Sequence, residues 1–157
     1  MPSKHWVVGS SPTERTNSNV RGYKMILECL VAAMFFEARD QPIDGRLAVA
    51  EVIFNRVDHE DFPDDVCAVV YEPMQFSFTH DGLSDDPSTH TLSIDVEALE
   101  EIEALAEDIL SDTVVLGLTS THYHTNGVNP FWSSVYEMDG GIGDHVFYTC
   151  DTNKRNC

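Results

Sequence analysis

The chain has 157 residues, 42% of them hydrophobic, which fits one domain able to build a core without metal or disulfide support. Nine basic and 27 acidic residues give a formal net charge of −18, and such a surface repels the phosphate backbone of nucleic acids. The longest apolar run, residues 26–36, contains Glu28 and is shorter than the roughly 20 residues of a membrane span. We therefore expect neither nucleic-acid binding nor membrane insertion.

The start of the chain predicts a polar arm followed by an apolar helix. Residues 1–21 are rich in Ser, Thr and Asn, and we expect them to be extended or loosely packed ahead of one domain over residues 22–157. A nearly all-round apolar helix is predicted from Gly22 to about Ala38, and such a helix belongs at the centre of a domain. Pro42 and its neighbours end the helix.

Two shorter helices and a long loop follow. Apolar residues at three- and four-residue spacing predict a helix over residues 46–57. Asp64 or Asp65 can cap a third, short helix that ends near Tyr71. Residues 73–91 contain Gly, Pro and Asp and predict a loop with at most a short hairpin. Loops of this length within a compact domain are often functional.

The carboxyl-terminal part changes from helical to extended patterning. A fourth helix, predicted over residues 94–110, has one apolar face and an acidic outer face without Lys or Arg, which is typical of a solvated surface. Beyond Gly117, short β-prone pieces are predicted around residues 119–125 and 146–150. These patterns predict an α+β fold that is mainly helical, with small β elements near the carboxyl terminus.

Glu37 is the residue that we expect to carry chemistry. It closes the apolar run of residues 25–36, so its carboxyl group is partly desolvated, and desolvation raises the pKa of a carboxyl group. A carboxyl group that stays protonated near neutral pH is what a general acid requires. The alternative is a structural role, in which Glu37 pairs with Arg39 or Arg56 at the helix end.

Hydrolysis of a glycosidic bond usually requires a second carboxylate as well. The two carboxyl groups lie about 5–5.5 Å apart in retaining enzymes and about 6.5–9.5 Å apart in inverting ones. Spacing in the sequence does not select a partner for Glu37. Glu51 on the second helix is another carboxylate of this region, and the candidates for the partner are Asp40, Asp44, Asp81, Asp85 and Asp86.

Two further segments are candidates for sugar binding. Gln75 and Ser77 flank Phe76 near the start of the long loop, where their side chains can hold hydroxyl and acetamido groups or form an ordinary turn. A second segment contains aromatic residues that either stack on a sugar ring or belong to the core. These aromatic residues are Phe131, Trp132 and Tyr136.

The triplet His122-Tyr123-His124 places two imidazoles on one face of a predicted strand. Together with His80 or His145 they have the chemistry of a zinc site, and a metal-dependent amidase or peptidase is one alternative function. Alternatively, these side chains form one wall of a substrate groove. Because no HExxH helix and no fitting Cys–His spacing is present, we expect no metal and no cofactor.

The four cysteines lie at wide spacings without a CxxC pair. Cys29 lies on the apolar helix, where we expect a buried small hydrophobic side chain. Cys150 and Cys157 are close enough along the chain to pair, and the state of Cys67 is left open. The first residues lack the apolar segment of a Sec signal peptide, so the preferred expectation is reduced cysteines, with disulfides left open.

Four blocks of the sequence, in order, resemble the SleB-type cell wall hydrolases, a family that includes spore cortex-lytic enzymes and phage and bacterial relatives. The blocks are AAMFFEARDQPIDGRLAVAEVIFNRV, FPDDVCAVVYEPMQFSF, THYHTNGVNPFW and IGDHVFY. The resemblance covers residues 25–149, most of the chain.

The resemblance implies a compact, lysozyme-like fold that cuts the β-1,4 bond between N-acetylmuramic acid and N-acetylglucosamine in peptidoglycan. It implies that Glu37 is the acid and then the base of a lytic transglycosylase, which needs one carboxylate and leaves a 1,6-anhydro product. It further implies substrate binding by Gln75, Phe76, Ser77 and Tyr123. We expect His122, His124 and Trp132 to bind substrate as well.

Gln41 departs from the pattern of the family that the chain resembles. The family usually reads Glu-Ala-Arg-Gly-Glu-Pro, whereas this chain reads Glu37-Ala38-Arg39-Asp40-Gln41-Pro42. A carboxylate has therefore moved from position 41 to position 40.

No export signal and no peptidoglycan-binding repeat is recognised in the sequence. We expect a monomer that is cytoplasmic until it reaches the wall, as a phage lysin or virion-associated enzyme, with peptidoglycan glycan strands as its partner. A hydrolytic muramidase is the nearest alternative function. A virion or wall-binding module that kept the fold without the chemistry is the non-enzymatic alternative.

Overall fold

Four α-helices precede a three-stranded antiparallel sheet in the part of the chain that the computed structural model describes, residues 12–150 and residue 157, with side chains from residue 19 onward. The strands occur in the order β1-β3-β2. The helices are α1 (Pro12–Ala38), α2 (Ile43–Val57), α3 (Val66–Val70) and α4 (Ser93–Leu110). The strands are β1 (His122–Thr125), β2 (Glu137–Ile142) and β3 (His145–Thr149).

Helix α1 is longer than the sequence predicted. It begins at Pro12 rather than Gly22, so the carboxyl-terminal half of the predicted arm is helical, and residues 1–11 lie outside the described residues. Proline is favoured at the first position of a helix because its missing N–H is one that no helical carbonyl would accept. Only residues 30–35 of α1 are continuously buried. The sequence predicted that the whole helix lies at the centre of the domain, whereas only this part of it does.

The other helices and the long loop agree with the predictions. Helix α2 begins three residues early, at Ile43, and α4 begins one residue early, at Ser93. Asp65 caps α3, accepting a hydrogen bond of 2.9 Å from the backbone N–H of Ala68. The loop of residues 73–91 contains two 3₁₀ turns, Ser77–His80 and Pro87–Thr89. None of the described helices has both the length and the apolar character needed to cross a membrane.

The sheet differs from the sequence prediction in one strand. Strand β2 was not predicted, because its Gly140 and Gly141 weaken the β signal and its register with β3 shifts between Met138 and Gly140. Strand β1 starts at His122 rather than near residue 119. The residues before it bond instead to side chains of α2.

Three polar side chains of α2 hold the segment that leads into the sheet. Glu51 accepts hydrogen bonds from the backbone N–H groups of residues 116–118, at 2.7 to 3.1 Å. Asn55 donates to the carbonyl oxygens of Leu118 and Ser120 at 2.8 and 2.9 Å. Arg56 Nε donates to the carbonyl oxygen of Thr121 at 2.7 Å. These bonds fix where β1 begins relative to the helices.

The expectation of reduced cysteines was wrong, because the structure contains two disulfides. Cys29 of α1 is bonded to Cys67 in the first turn of α3, where the packing of the two helices brings their Cα atoms to 5.4 Å. Cys29 is therefore a cross-link rather than a buried free thiol. The second bond joins Cys150 to Cys157.

We predict that loss of the Cys29–Cys67 bond destabilises the protein more than loss of the Cys150–Cys157 bond. The two bonds close loops with sequence separations of 38 and 7 residues. In the chain-entropy model this corresponds to about 4 and about 2.5 kcal/mol of unfolding free energy. Denaturant unfolding of C29S/C67S and of C150S/C157S measures both, and equal losses would contradict the prediction.

We also predict that Glu51→Gln lowers the free energy of unfolding by about 2–4 kcal/mol, because a buried carboxylate that accepts backbone hydrogen bonds is replaced by an amide with one donor end. The control is Glu97→Gln on the exposed face of α4, which should change stability by less than about 0.5 kcal/mol. Equal effects of the two substitutions in urea unfolding would show that the Glu51 bonds contribute nothing.

Candidate active site

Glu37 lies in the last turn of α1, and its carboxyl group meets β1. The hydroxyl of Tyr123 donates a hydrogen bond of 2.7 Å to Glu37 Oε2. Burial raises the pKa of Glu37, and the bond from Tyr123 and the positive charge of Arg56 oppose this shift only in part. The pKa of Glu37 is therefore raised, which favours the protonated carboxyl group. This agrees with the prediction made from its position at the end of an apolar helix.

Tyr123 reaches Glu37 because of the alternation of side chains along β1. Its ring packs against those of His145 at 4.9 Å and Phe147 at 5.6 Å, on one face of the sheet. Burial, and then the negative charge of Glu37, raise the pKa of Tyr123 well above its ordinary value. The phenol therefore keeps its proton near neutral pH and donates it to the hydrogen bond with Glu37.

Neither arginine forms the ion pair with Glu37 that the structural alternative required. Arg39 Nε is bonded to Asp95 of α4 at 3.1 Å. Arg56 bonds Thr121 and Gln75 and reaches Glu37 only as a nearby positive charge. Glu37 is thus held by a neutral donor, which fixes its position without committing it to the ionised state.

A cavity of about 440 Å³ opens beside Glu37. Asp40 and Asp144 bring two further carboxylates to it, one from the end of α1 and one from the β2–β3 turn. Burial lowers the pKa of His145 in its wall, and the charges of Asp40 and Asp144 oppose that shift. The lining residues are Phe36, Glu37, Arg39, Asp40, Gln41, Thr125, Asp144 and His145.

The structure separates the five candidates for a second carboxylate and shows that Glu51 of α2 is also engaged elsewhere. Asp40 alone among them lines the cavity with Glu37. Glu51 is occupied by backbone N–H groups, and Asp81 and Asp86 accept hydrogen bonds within turns of the long loop. Asp85 and Asp86 line a different cavity, of about 680 Å³, and Asp44 lies in the first turn of α2.

Asp144 is the carboxylate that the sequence interpretation missed. It lies in the IGDHVFY block, but 107 residues separate it from Glu37 in the numbering, and only the turn between β2 and β3 returns it to the end of α1. Its position immediately before His145, within a block that resembles the family, was the available signal.

The loop residues expected to bind substrate lie in different environments. Phe76 is only 2% exposed, belongs to the hydrophobic core and does not line the cavity beside Glu37. Gln75 is exposed and accepts a hydrogen bond of 3.2 Å from Arg56. Ser77 is exposed at the start of a 3₁₀ turn.

His122, His124 and Trp132 lie on the face of the sheet opposite to Tyr123. The ring of Trp132 is 5.2 Å from that of His122 and 5.7 Å from that of His124, and Tyr136 and Tyr148 complete this aromatic cluster. The structure therefore does not place these predicted substrate-binding residues in the cavity beside Glu37. Burial, with help from Arg56 and His59, lowers the pKa of His122 to about 4, so this imidazole is neutral at pH 7.

The zinc alternative is not supported by this arrangement. His145 pairs with Thr125 across the sheet and shares the face of Tyr123, whereas His122 and His124 point to the other face. In the described part of the chain, one group has a ligand-like spacing, and it consists of His59, Asp61 and Cys157. Cys157 is in a disulfide and offers no thiolate.

Comparison with known proteins places this site in a family. A sequence model described as Cell Wall Hydrolase matches residues 40–148. The chain belongs to the cell wall hydrolase family. The match begins after Glu37, so the assignment of Glu37 depends on the geometry of the site.

Two curated relatives are spore cortex-lytic enzymes. The one from Halalkalibacterium halodurans is 41% identical over 56 residues, which are 36% of this chain and 17% of that protein. The one from Bacillus subtilis is 34% identical over 76 residues, which are 48% of this chain and 23% of that protein. The matches thus span less than a quarter of either relative.

Solved structures show the fold of this family member. The catalytic domain of the germination-specific lytic transglycosylase SleB from Bacillus anthracis has a TM-score of 0.59 at 23% identity, covering 79% of this chain and 93% of that one. The catalytic domain of SleB from Bacillus cereus has a TM-score of 0.58, with coverage of 80% and 91%. The predicted lysozyme-like α+β fold is confirmed.

We predict that Tyr123→Phe raises the pKa of Glu37 further. The Tyr123 hydroxyl stabilises the ionised carboxylate, so its removal leaves desolvation less opposed. The measurement is the midpoint of the Glu37 carboxyl ¹³C shift in an NMR pH titration, which should move to higher pH. Tyr136→Phe, on the other face of the sheet, is the control and should leave the midpoint in place; a lower midpoint in Tyr123→Phe would contradict the prediction.

Proposed function

We propose that the protein cleaves the glycan strands of peptidoglycan between N-acetylmuramic acid and N-acetylglucosamine, as a lytic transglycosylase that uses Glu37. The observation that carries this proposal is the Glu37 carboxyl group, held towards its protonated form at the edge of a cavity by one neutral donor, Tyr123. Membership of the cell wall hydrolase family, and the similarity in fold to the germination-specific lytic transglycosylase SleB from Bacillus anthracis, support the choice of substrate.

In the first step Glu37 gives its proton to the glycosidic oxygen while the bond from that oxygen to C1 of the muramoyl residue breaks. A carboxyl group with a raised pKa has the proton to give near neutral pH. The product of this step at the enzyme is an ionised Glu37, and the hydrogen bond from Tyr123 and the charge of Arg56 both stabilise that form.

In the second step the ionised Glu37 takes the proton of the muramoyl 6-hydroxyl while that oxygen bonds to C1. The product carries a 1,6-anhydro ring, Glu37 is protonated again, and no water is consumed. The negative charges of Asp40 and Asp144 in the same cavity favour the positive charge that develops at C1 between the two steps.

A hydrolytic muramidase is the second candidate, and one observation favours it. Asp40 and Asp144 line the cavity together with Glu37, so a second carboxylate is available to activate water. The products distinguish the two reactions, because hydrolysis leaves a reducing muramic acid where transglycosylation leaves an anhydro end.

We also propose that the protein acts outside a reducing cytoplasm, after release to the wall, as a phage lysin or virion-associated enzyme would. The two disulfides support this place of action, because such bonds persist in oxidising surroundings.

The test compares wild type with Glu37→Gln on purified sacculi, with mass spectrometry of the soluble products. We expect anhydro-muropeptides from wild type and a rate lower by about 10²–10⁴-fold in the variant, because the general acid is lost. Glu100→Gln, the same change on the exposed face of α4, is the control and should behave as wild type.

The other outcomes each redirect the assignment. Reducing ends that disappear in Glu37→Gln would establish the muramidase. Equal products from both proteins would reject Glu37 as the acid. Binding of wild type to sacculi without released fragments would identify a non-catalytic wall-binding module.

A further inference from the structure

Gln41 joins the two walls of the cavity beside Glu37. Its side chain is 6% exposed and lies between the end of α1 and the β2–β3 turn. Gln41 Oε1 accepts a hydrogen bond of 2.8 Å from the backbone N–H of Asp144. Gln41 Nε2 donates to Asp144 Oδ2 at 3.1 Å and to Asp40 Oδ1 at 3.2 Å. One amide therefore satisfies a backbone donor and two carboxylates at once.

The backbone of the β2–β3 turn is shaped to approach this amide closely. Gly143 has a φ of +58°, in the left-handed region, and a Cβ at this position would collide with Gln41 Oε1 and press on the ring of Pro42. The carbonyl oxygen of Asp144 accepts a hydrogen bond of 2.9 Å from the backbone N–H of Asn126, just beyond β1. The turn is thus held between Gln41 on one side and the end of β1 on the other.

The two carboxylates next to Gln41 require a side chain at position 41 that can donate hydrogen bonds. A glutamate at position 41 would still accept from the backbone N–H of Asp144, but its second oxygen would face the carboxylates of Asp40 and Asp144, where Nε2 now donates. Like charges at hydrogen-bond distance in a partly buried site repel strongly. Arg39, the nearest arginine in the cavity wall, is engaged by Asp95.

We propose that Gln41 is a positioning residue of this enzyme: its neutral amide clamps the β2–β3 turn to the end of α1 and thereby sets the spacing between Glu37 and the opposite wall of the cavity. The clamp needs an amide here because this chain carries carboxylates at positions 40 and 144. The role in catalysis rests on the proposed function, whereas the clamp itself does not.

The test is a double-mutant cycle of Gln41→Glu and Asp144→Asn, measured by thermal unfolding. Gln41→Glu should lower Tm by roughly 3–8 °C. Asn at 144 can donate to a carboxylate at 41, so the double variant should recover most of that loss. Asn19→Asp, the same amide-to-carboxylate change at an exposed position of α1, is the matched control and should leave Tm within about 1 °C.

The second readout is the titration of Glu37, measured in Gln41→Glu and also in Gln41→Leu, which removes the hydrogen bonds of the clamp without adding a charge to the cavity. A carboxylate at 41 lines the same cavity as Glu37, with Asp40, Asp144, Arg39 and His145 around it and with Tyr123 and Arg56 at Glu37 itself. The NMR midpoint of the Glu37 carboxyl group should therefore rise in Gln41→Glu and return towards wild type in the Gln41→Glu/Asp144→Asn double variant, which has as many carboxylates as wild type. It should also move in Gln41→Leu, whereas a purely structural clamp would leave the midpoint of Gln41→Leu at the wild-type value. Release of muropeptides by Gln41→Glu should fall by about tenfold at a temperature where the variant is folded.

Each result decides a separate point. Additive changes of Tm, or no loss in Gln41→Glu, would overturn the clamp. A Tm loss with an unchanged Glu37 midpoint and unchanged release would overturn the positioning role and leave a structural one. If wild type releases no muropeptides, the proposed function fails, and the Tm cycle and the Glu37 titration still decide the inference.

Discussion

The placement of the whole site depends on the row of polar side chains along α2. Glu51 and Arg56 are buried and Asn55 is half-buried, and the backbone of residues 116–121 supplies hydrogen-bond partners to all three. Leaving a buried carboxylate or guanidinium without a hydrogen-bond partner costs far more free energy than losing a hydrogen bond at the surface. The segment of residues 116–121 is therefore held against α2. Because β1 starts where this segment ends, the same bonds determine where Tyr123 lies and therefore how Glu37 is held.

Opposing effects act on the pKa of the Glu37 carboxyl group. Desolvation at the end of α1 favours its protonated form, and Tyr123 and Arg56 favour its ionised form. Such a balance suits the proposed role of Glu37, in which it gives up a proton and then takes one back. The carboxylates of Asp40 and Asp144 remain near Glu37 without touching it, because Gln41 supplies the hydrogen bonds that hold them in place.

Local patterns in the sequence predicted the bounds of the helices α2, α3 and α4 to within three residues, because apolar spacing and the Asp65 cap act within a few residues. They missed β2, whose two glycines give no β signal and whose stability comes from its neighbour β3. They also grouped His122, His124 and Trp132 with Tyr123, although alternation along β1 sends the two histidines to the face opposite Tyr123, where Trp132 packs against them. The disulfide of Cys29 was missed because its partner lies on another helix.

By itself the sequence determined that Glu37 ends an apolar helix, and hence that its carboxyl group is desolvated, since both follow from residues close in the chain. The four ordered blocks further indicated the family to which the chain belongs. Only the tertiary structure decided what surrounds that carboxyl group. Tyr123 is 86 residues from Glu37, and Asp144 is 103 residues from Gln41. Contacts between residues so far apart in the chain depend on how the helices and the sheet pack, and the spacing of residues in the sequence does not determine that packing.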